Sequence, residues 1–146
     1  MYDIPLIRLM IVRDSQVPSR RKTVRKPADA ASIAAKYLEG QDREHFIVLL
    51  LDTKHRVNAI HTVAIGTLSQ ALVHPREVFK AALLANAAAV ILAHNHPSGD
   101  VTPSPEDLAI TKRLKDAGEL LGVPVLDHLI IGDGGAYASL KDRGEL

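Results

Sequence analysis

Apolar positions along the chain fall into two kinds of run. EHFIVLLLD, residues 44–52, and AVILAHNH, residues 89–96, are unbroken apolar stretches, too short for buried helices and typical of strands covered on both faces. RVNAIHTVAIG follows the first of them across the polar turn TKH, which predicts a hairpin. VLDHLIIGDGGAYASL predicts two short strands around a glycine-rich turn, and IPLIRLMIVR, residues 4–13, is apolar and β-branched enough to predict a strand at the N-terminus. Between these runs the spacing becomes helical. ADAASIAAKYLE, residues 28–39, places Ile33 and Tyr37 on one face, with Pro27 at its start and Gly40 past its end. HPREVFKAALLANAA has Pro75 and Glu77 in its first turn and a stripe of Val78, Ala82 and Leu83. SPEDLAITKRLKDAGELLG predicts a long helix with Ser104 as N-cap, Pro105 at the first position and Gly122 past the end. The order β, α, ββ, α, β, α, ββ mixes hairpins with crossovers. It predicts an α/β fold, a mixed β-sheet flanked by helices on its faces.

Composition narrows the chemistry. At 146 residues, 47% hydrophobic and 24% charged, the chain is long and apolar enough for one self-supporting domain. It has no cysteine, which excludes disulfide scaffolds, thiolate zinc sites and cysteine nucleophiles, so any metal must be held by nitrogen and oxygen. A net charge of +1 gives no global field to attract nucleic acid or anionic lipid. Three tyrosines, two phenylalanines and no tryptophan are too few for a base-stacking platform. The apolar runs are too short to span a bilayer and the N-terminus lacks the features of a leader, so no membrane role and a cytoplasmic location are expected.

The unusual resource is histidine, seven in all. The stretch HNHPSGDVTPSPED, residues 94–107, puts His94 and His96 two apart at the end of a strand, where the period of two sends both imidazoles to one side. Asp107 lies one turn into the next helix, and the intervening loop can fold it back. Two histidines and a carboxylate form a tripod that leaves a fourth tetrahedral position open, the arrangement of a catalytic zinc. One zinc per chain is expected, able to bring the pKa of water to about 7 and to polarise a carbonyl. A plainer explanation exists for part of the pattern, because Ser104 and Asp107 also form a capping box. The full spacing H-x-H-x7-S-x2-D nevertheless arises by chance only about once in a thousand chains of this composition.

These residues resemble the JAMM motif of the MPN metalloprotease superfamily, and HNHPSGD with the flanking VHPREVFKAAL and VLDHLIIG resembles its bacterial RadC branch. The likeness runs from residue 27 to the end, so residues 1–26 are expected to be an N-terminal strand and basic loop, and 27–146 an MPN (JAMM) domain. The resemblance implies a sandwich like that of cytidine deaminases, with zinc on His94, His96 and Asp107. It also implies that Ser104 helps hold the oxyanion and that Glu44, at the start of an apolar strand, is the general base and acid. Glu39 and Glu77 are weaker candidates, since a helix terminus explains each. The implied activity is zinc-dependent hydrolysis of a peptide or isopeptide bond.

His128, after Asp127 in a strand, and His74, before Pro75, are further candidates for orienting a ligand or substrate, with core and capping roles as their plain alternatives. The zinc nucleobase deaminases are excluded because their P-C-x-x-C ligands are absent. Two other readings stand beside the hydrolase: a non-catalytic MPN scaffold, and a nucleic-acid accessory protein of DNA repair. The latter would rest on SRRKTVRK, where Arg20, Arg21, Lys22, Arg25 and Lys26 could track phosphates. The helix-hairpin-helix module frequent in the RadC branch has no room ahead of Pro27, and a solvated loop explains the basic run equally well.

Overall fold

A computed structural model describes all 146 residues. Its elements in chain order are α1 (Pro27–Leu38), β1 (His45–Leu51), β2 (Val57–Ile65), α2 (Pro75–Leu84), β3 (Ala89–Asn95), α3 (Pro105–Leu121), β4 (Val125–Ile131) and β5 (Tyr137–Ser139). The strands form one sheet in the order β2-β1-β3-β4-β5. Only β3 and β4 run parallel, joined by the crossover helix α3, and every other neighbouring pair is antiparallel. The expected mixed sheet with helices on both faces is present.

Period-two alternation divides the covered strands between two cores. On one face Phe46, Val48, Leu50, Val90 and Leu92 pack beneath α2 and α3 with Val78, Phe79, Ile110 and Leu114. On the other, Ile47, Leu49, Ile91, Ala93 and Leu129 pack against Ile33, Ala34 and Leu38 of α1. This is why β1 and β3 are buried along their whole length and read as continuous apolar runs. In α2 the buried stripe is Val78, Phe79 and Ala82, while Leu83 is exposed. Phe79, one turn before Leu83 on the same face, fills the space against α3, where its ring would lie 3.1 Å from a Cβ placed on Gly118.

The expected N-terminal strand at residues 4–13 does not form. The segment has no regular structure, and Leu6 is 101% exposed and Ile7 76%. Apolar, β-branched residues make a strand only where an edge is free to pair. The outer edge of β2 is met instead by Lys22–Val24: Val57 N–H donates to Lys22 O at 2.7 Å, and Val24 N–H to His55 O at 2.9 Å, around an antiparallel bridge between Thr23 and Arg56. Continued in that register, residues 14–22 with Pro18 would lie along β2, and the apolar residues 4–12 would run past its end. Part of the basic run is already engaged. Asp29 in α1 accepts hydrogen bonds from Arg25 N–H and Lys26 N–H and pairs with Arg21 at 3.1 Å, while Arg20 is exposed. No helix is long and apolar enough to cross a membrane.

Candidate metal centre

Strand β3 ends where its apolar run meets the sequence HNH, and alternation there separates three side chains. His94 and His96 turn toward α3, and Asn95 turns the opposite way. Asp107 comes from the first turn of α3, whose start is set by a complete capping box: Ser104 Oγ accepts from Asp107 N–H at 3.0 Å, and Asp107 Oδ2 accepts from Ser104 N–H at 2.9 Å. The capping explanation of this pair is therefore realised, and it is the cap that holds Asp107 over the strand end.

The three side chains converge. His94 Nε2 lies 3.1 Å from His96 Nε2 and 3.3 Å from Asp107 Oδ1, and His96 Nε2 lies 3.1 Å from Asp107 Oδ2. Bonds of about 2.0–2.1 Å at the tetrahedral angle put the ligand atoms of a zinc roughly 3.3 Å apart, so the spacing fits that ion. The hydrogen bonds behind the rings fit as well. His96 Nδ1 lies 2.6 Å from Asp100 O, a carbonyl that can only accept, so a neutral His96 carries its proton on Nδ1 and turns a bare Nε2 inward. Asp100 is kept in place by a tight contact, since a Cβ on Gly132 would lie 2.6 Å from Gly99 O and 2.8 Å from Val101 Cγ1. His94, 0% exposed, passes its Nδ1 to His128 Nε2 at 2.7 Å and stacks on Phe46 with ring centroids 5.9 Å apart.

Two imidazoles and a carboxylate at this spacing could hold a metal ion, and in its absence they shift one another's protonation. Burial pushes the Asp107 carboxyl up, but the imidazoles of His94 and His96 and the Ser104 N–H outweigh it and hold it well below the ordinary carboxylate range. The hydrogen bond to Asp107 raises the His96 imidazole against its partial burial, with smaller contributions from the Asp100 carbonyl and the Glu44 charge. His128 is driven far in the other direction, chiefly by complete burial.

Glu44 sits immediately before β1. The β1–β3 register pairs Phe46 with His94, so one more step of two places Glu44 opposite His96 on the same face. Its Oε2 accepts from Leu68 N–H at 3.3 Å, and it stays half-buried beside the partly open side of the cluster. Sequence reasoning missed what holds it there. Asn95 Oδ1 accepts from His45 N–H at 2.7 Å and Asn95 Nδ2 donates to Arg43 O at 2.9 Å, so one amide clamps the backbone on both sides of Glu44. The signal was available: an asparagine between two histidines of a buried strand must point away from them and satisfy its amide elsewhere.

His128 lies behind the cluster, its Nε2 2.7 Å from His94 Nδ1. His74 does not join the cluster; its Nδ1 accepts from Arg76 N–H at 3.1 Å and caps α2, the plainer of its two roles. Glu77 pairs with Lys80 at 2.6 Å on the surface of the same helix.

Comparison with known proteins agrees with the motif. A family profile described as RadC-like JAB domain matches residues 24–145. A UPF0758 protein of Desulforamulus reducens is 53% identical over 124 residues, covering 85% of this chain and 54% of the relative. Others from Desulfitobacterium hafniense and Moorella thermoacetica are 50% identical over 132 residues and 52% over 126, covering 90% and 86% of this chain and 58% and 55% of those proteins. The chain thus spans about half the length of the curated relatives it matches. With the match extending over nearly the whole sheet and every residue of the cluster, the chain belongs to the RadC-like JAB domain family.

Proposed function

We propose that the protein is a zinc-dependent hydrolase of the JAMM type that cleaves a peptide or isopeptide bond. One observation carries the reading: two imidazole Nε2 atoms and a carboxylate meet within 3.1–3.3 Å, with the far nitrogen of His96 fixed as a donor to Asp100 O. His94, His96 and Asp107 would hold the metal, and bound zinc would supply Lewis acidity toward a water and a carbonyl. The remaining work falls to the chain's own groups. Glu44, on the face of His96 and outside the ligand set, takes the proton from the attacking water and returns it to the leaving amine. The Ser104 hydroxyl accepts a hydrogen bond from the helix and keeps its own proton free to donate, which suits it to the developing oxyanion. The exposure gradient sets the direction of approach: His94 is closed off, whereas the His96 side chain is 15% exposed, so substrate comes over His96.

The test is metal analysis of protein purified without added metal, joined to hydrolysis assays on folded and unfolded peptides and on isopeptide-linked substrates. One zinc per chain, lost in His94→Ala, together with turnover lost in Glu44→Gln, is the expected result. Full metal occupancy in His94→Ala would overturn the ligand set, and zinc without turnover on any substrate class would favour a scaffold.

A further inference from the structure

Behind the metal centre, β3, β4 and α3 contribute a chain of polar groups that is buried throughout: His94 and His128 are 0% exposed and Thr111 1%. His94 Nδ1 lies 2.7 Å from His128 Nε2, His128 Nδ1 lies 2.5 Å from Thr111 Oγ1, and Thr111 Oγ1 lies 2.7 Å from the backbone carbonyl of Asp107. Proton counting fixes the direction of every one of these bonds. The atom of His94 that faces His96 and Asp107 is Nε2, and a metal can use it only as a lone pair. The ring proton then sits on Nδ1 and is donated to His128 Nε2. A neutral His128 that accepts at Nε2 carries its own proton on Nδ1, whose one hydrogen-bond partner is Thr111 Oγ1. Thr111 has a single hydroxyl proton, so it can accept from His128 only by donating to a group that never donates back. The carbonyl of Asp107, one helical turn earlier, is such a group.

We infer that Thr111 is a positioning residue for the metal site: with His128 it sets the proton pattern that leaves His94 Nε2 bare. The relay also closes on itself. It starts at one ligand on β3 and ends at the main chain of another on α3, so the two elements are held in one register by the same three hydrogen bonds. Valine at position 111 would have the shape of threonine and no acceptor. His128 would then either bury an unpaired Nδ1–H or move its proton to Nε2, against the Nδ1–H of His94 2.7 Å away. Serine would restore the hydroxyl.

The inference rests on the metal reading proposed above, and the experiment separates the two. Zinc affinity of the parent, Thr111→Val and Thr111→Ser proteins is measured by chelator competition. Long-range proton–nitrogen correlation spectra of the metal-free and zinc-loaded proteins report which ring nitrogens of His94 and His128 carry hydrogen. The expected result is a 10- to 100-fold weaker affinity in Thr111→Val, near-parental affinity in Thr111→Ser, and His128 protonated at Nδ1 in the parent with and without zinc. A valine protein that binds zinc like the parent overturns the relay, and so does a parent His128 with its proton on Nε2. A parent that binds no zinc but keeps His128 protonated at Nδ1 overturns the metal reading alone. Should the valine protein fail to fold, the parent tautomer decides by itself.

Discussion

Asp107 and Asp127 are equally buried, each 5% exposed, yet their partners differ in kind. Asp127 is met by hydrogen-bond donors on both oxygens: its Oδ1 accepts from His128 N–H at 2.7 Å and Lys141 N–H at 3.1 Å, and its Oδ2 from the Ser139 hydroxyl at 2.6 Å. Asp107 accepts from Ser104 N–H, and its two oxygens also face imidazole nitrogens, His94 Nε2 at 3.3 Å and His96 Nε2 at 3.1 Å. A buried carboxylate whose two oxygens are both met by hydrogen-bond donors is architecture, pinning the end of β5 to β4. One that shares its space with two imidazole nitrogens belongs to a donor set that could hold a metal ion. Burial alone cannot tell the two apart, and the identity of the partners can.

The same isosteric substitution should therefore break the two sites differently. Asp107→Asn leaves an amide whose N–H groups can donate to the imidazoles, so the metal-free protein stays folded, while loss of the charge lowers zinc affinity by more than the roughly 100-fold that removal of an outer hydrogen bond can cost. Asp127→Asn keeps one acceptor for the two N–H groups, and the Ser139 hydroxyl can turn to accept from the new amide. It should retain one zinc per chain and lose only about 1 kcal/mol of stability. Chelator competition and denaturant unfolding of both variants check this. Equal zinc affinity in the two would dissolve the distinction.

Next in size is the effect at Glu44, a carboxylate of a third kind, half-buried and held by one backbone N–H. Glu44→Gln should keep its zinc and lose on the order of 10² to 10⁴ in turnover, measured at saturating metal. Ser104→Gly follows. The glycine backbone keeps the N–H that Asp107 accepts, so metal binding persists, and an N-cap glycine costs only a few tenths of a kcal/mol. Loss of the hydroxyl should cost roughly 10² to 10³ in turnover. A glycine protein with parental turnover would reduce Ser104 to a cap.

The contrast also explains what could be read in the sequence. His94, His96 and Asp107 were legible because strand and helix periods dictate where they point, and Ser104 and Gly122 were legible as helix ends for the same reason. Asp127, Thr111 and Asn95 were not, because each is defined by a partner distant in sequence: Ser139, His128 and His45 respectively. The failed strand at residues 4–13 has the same origin. Its composition is as strand-like as that of β2, but pairing is a property of the edge, and the edge is occupied at Lys22–Val24 by the chain's own register. Local pattern fixes what a segment can be, and long-range hydrogen bonding fixes which segments become it.

The smallest effect is on the pH dependence of stability, and it tests whether the cluster of lone pairs is electrostatically what its geometry implies. In the metal-free protein His96 has a folded pKa above its ordinary 6.5, mainly through Asp107. The stabilisation from that pairing is fully present below pH 6.5 and is lost as pH rises through the folded value. His128 has a folded pKa far below 6.5 because it is buried. Below pH 6.5 the unfolded chain takes up a proton there that the folded protein refuses, so stability falls as pH drops. Asp107, depressed by its partners, adds its own loss only at more acidic pH, below its unfolded value of 3.8. The two histidines thus act on opposite sides of the same value, and stability should peak near neutrality, with each limb no steeper than about 1.4 kcal/mol per pH unit for one proton. His96→Gln should flatten the alkaline limb and leave the acid limb. Denaturant unfolding of the chelator-treated proteins between pH 4 and 9 measures it. An alkaline limb that survives in His96→Gln would mean that the proton bridging His96 and Asp107 is not what holds the empty tripod together.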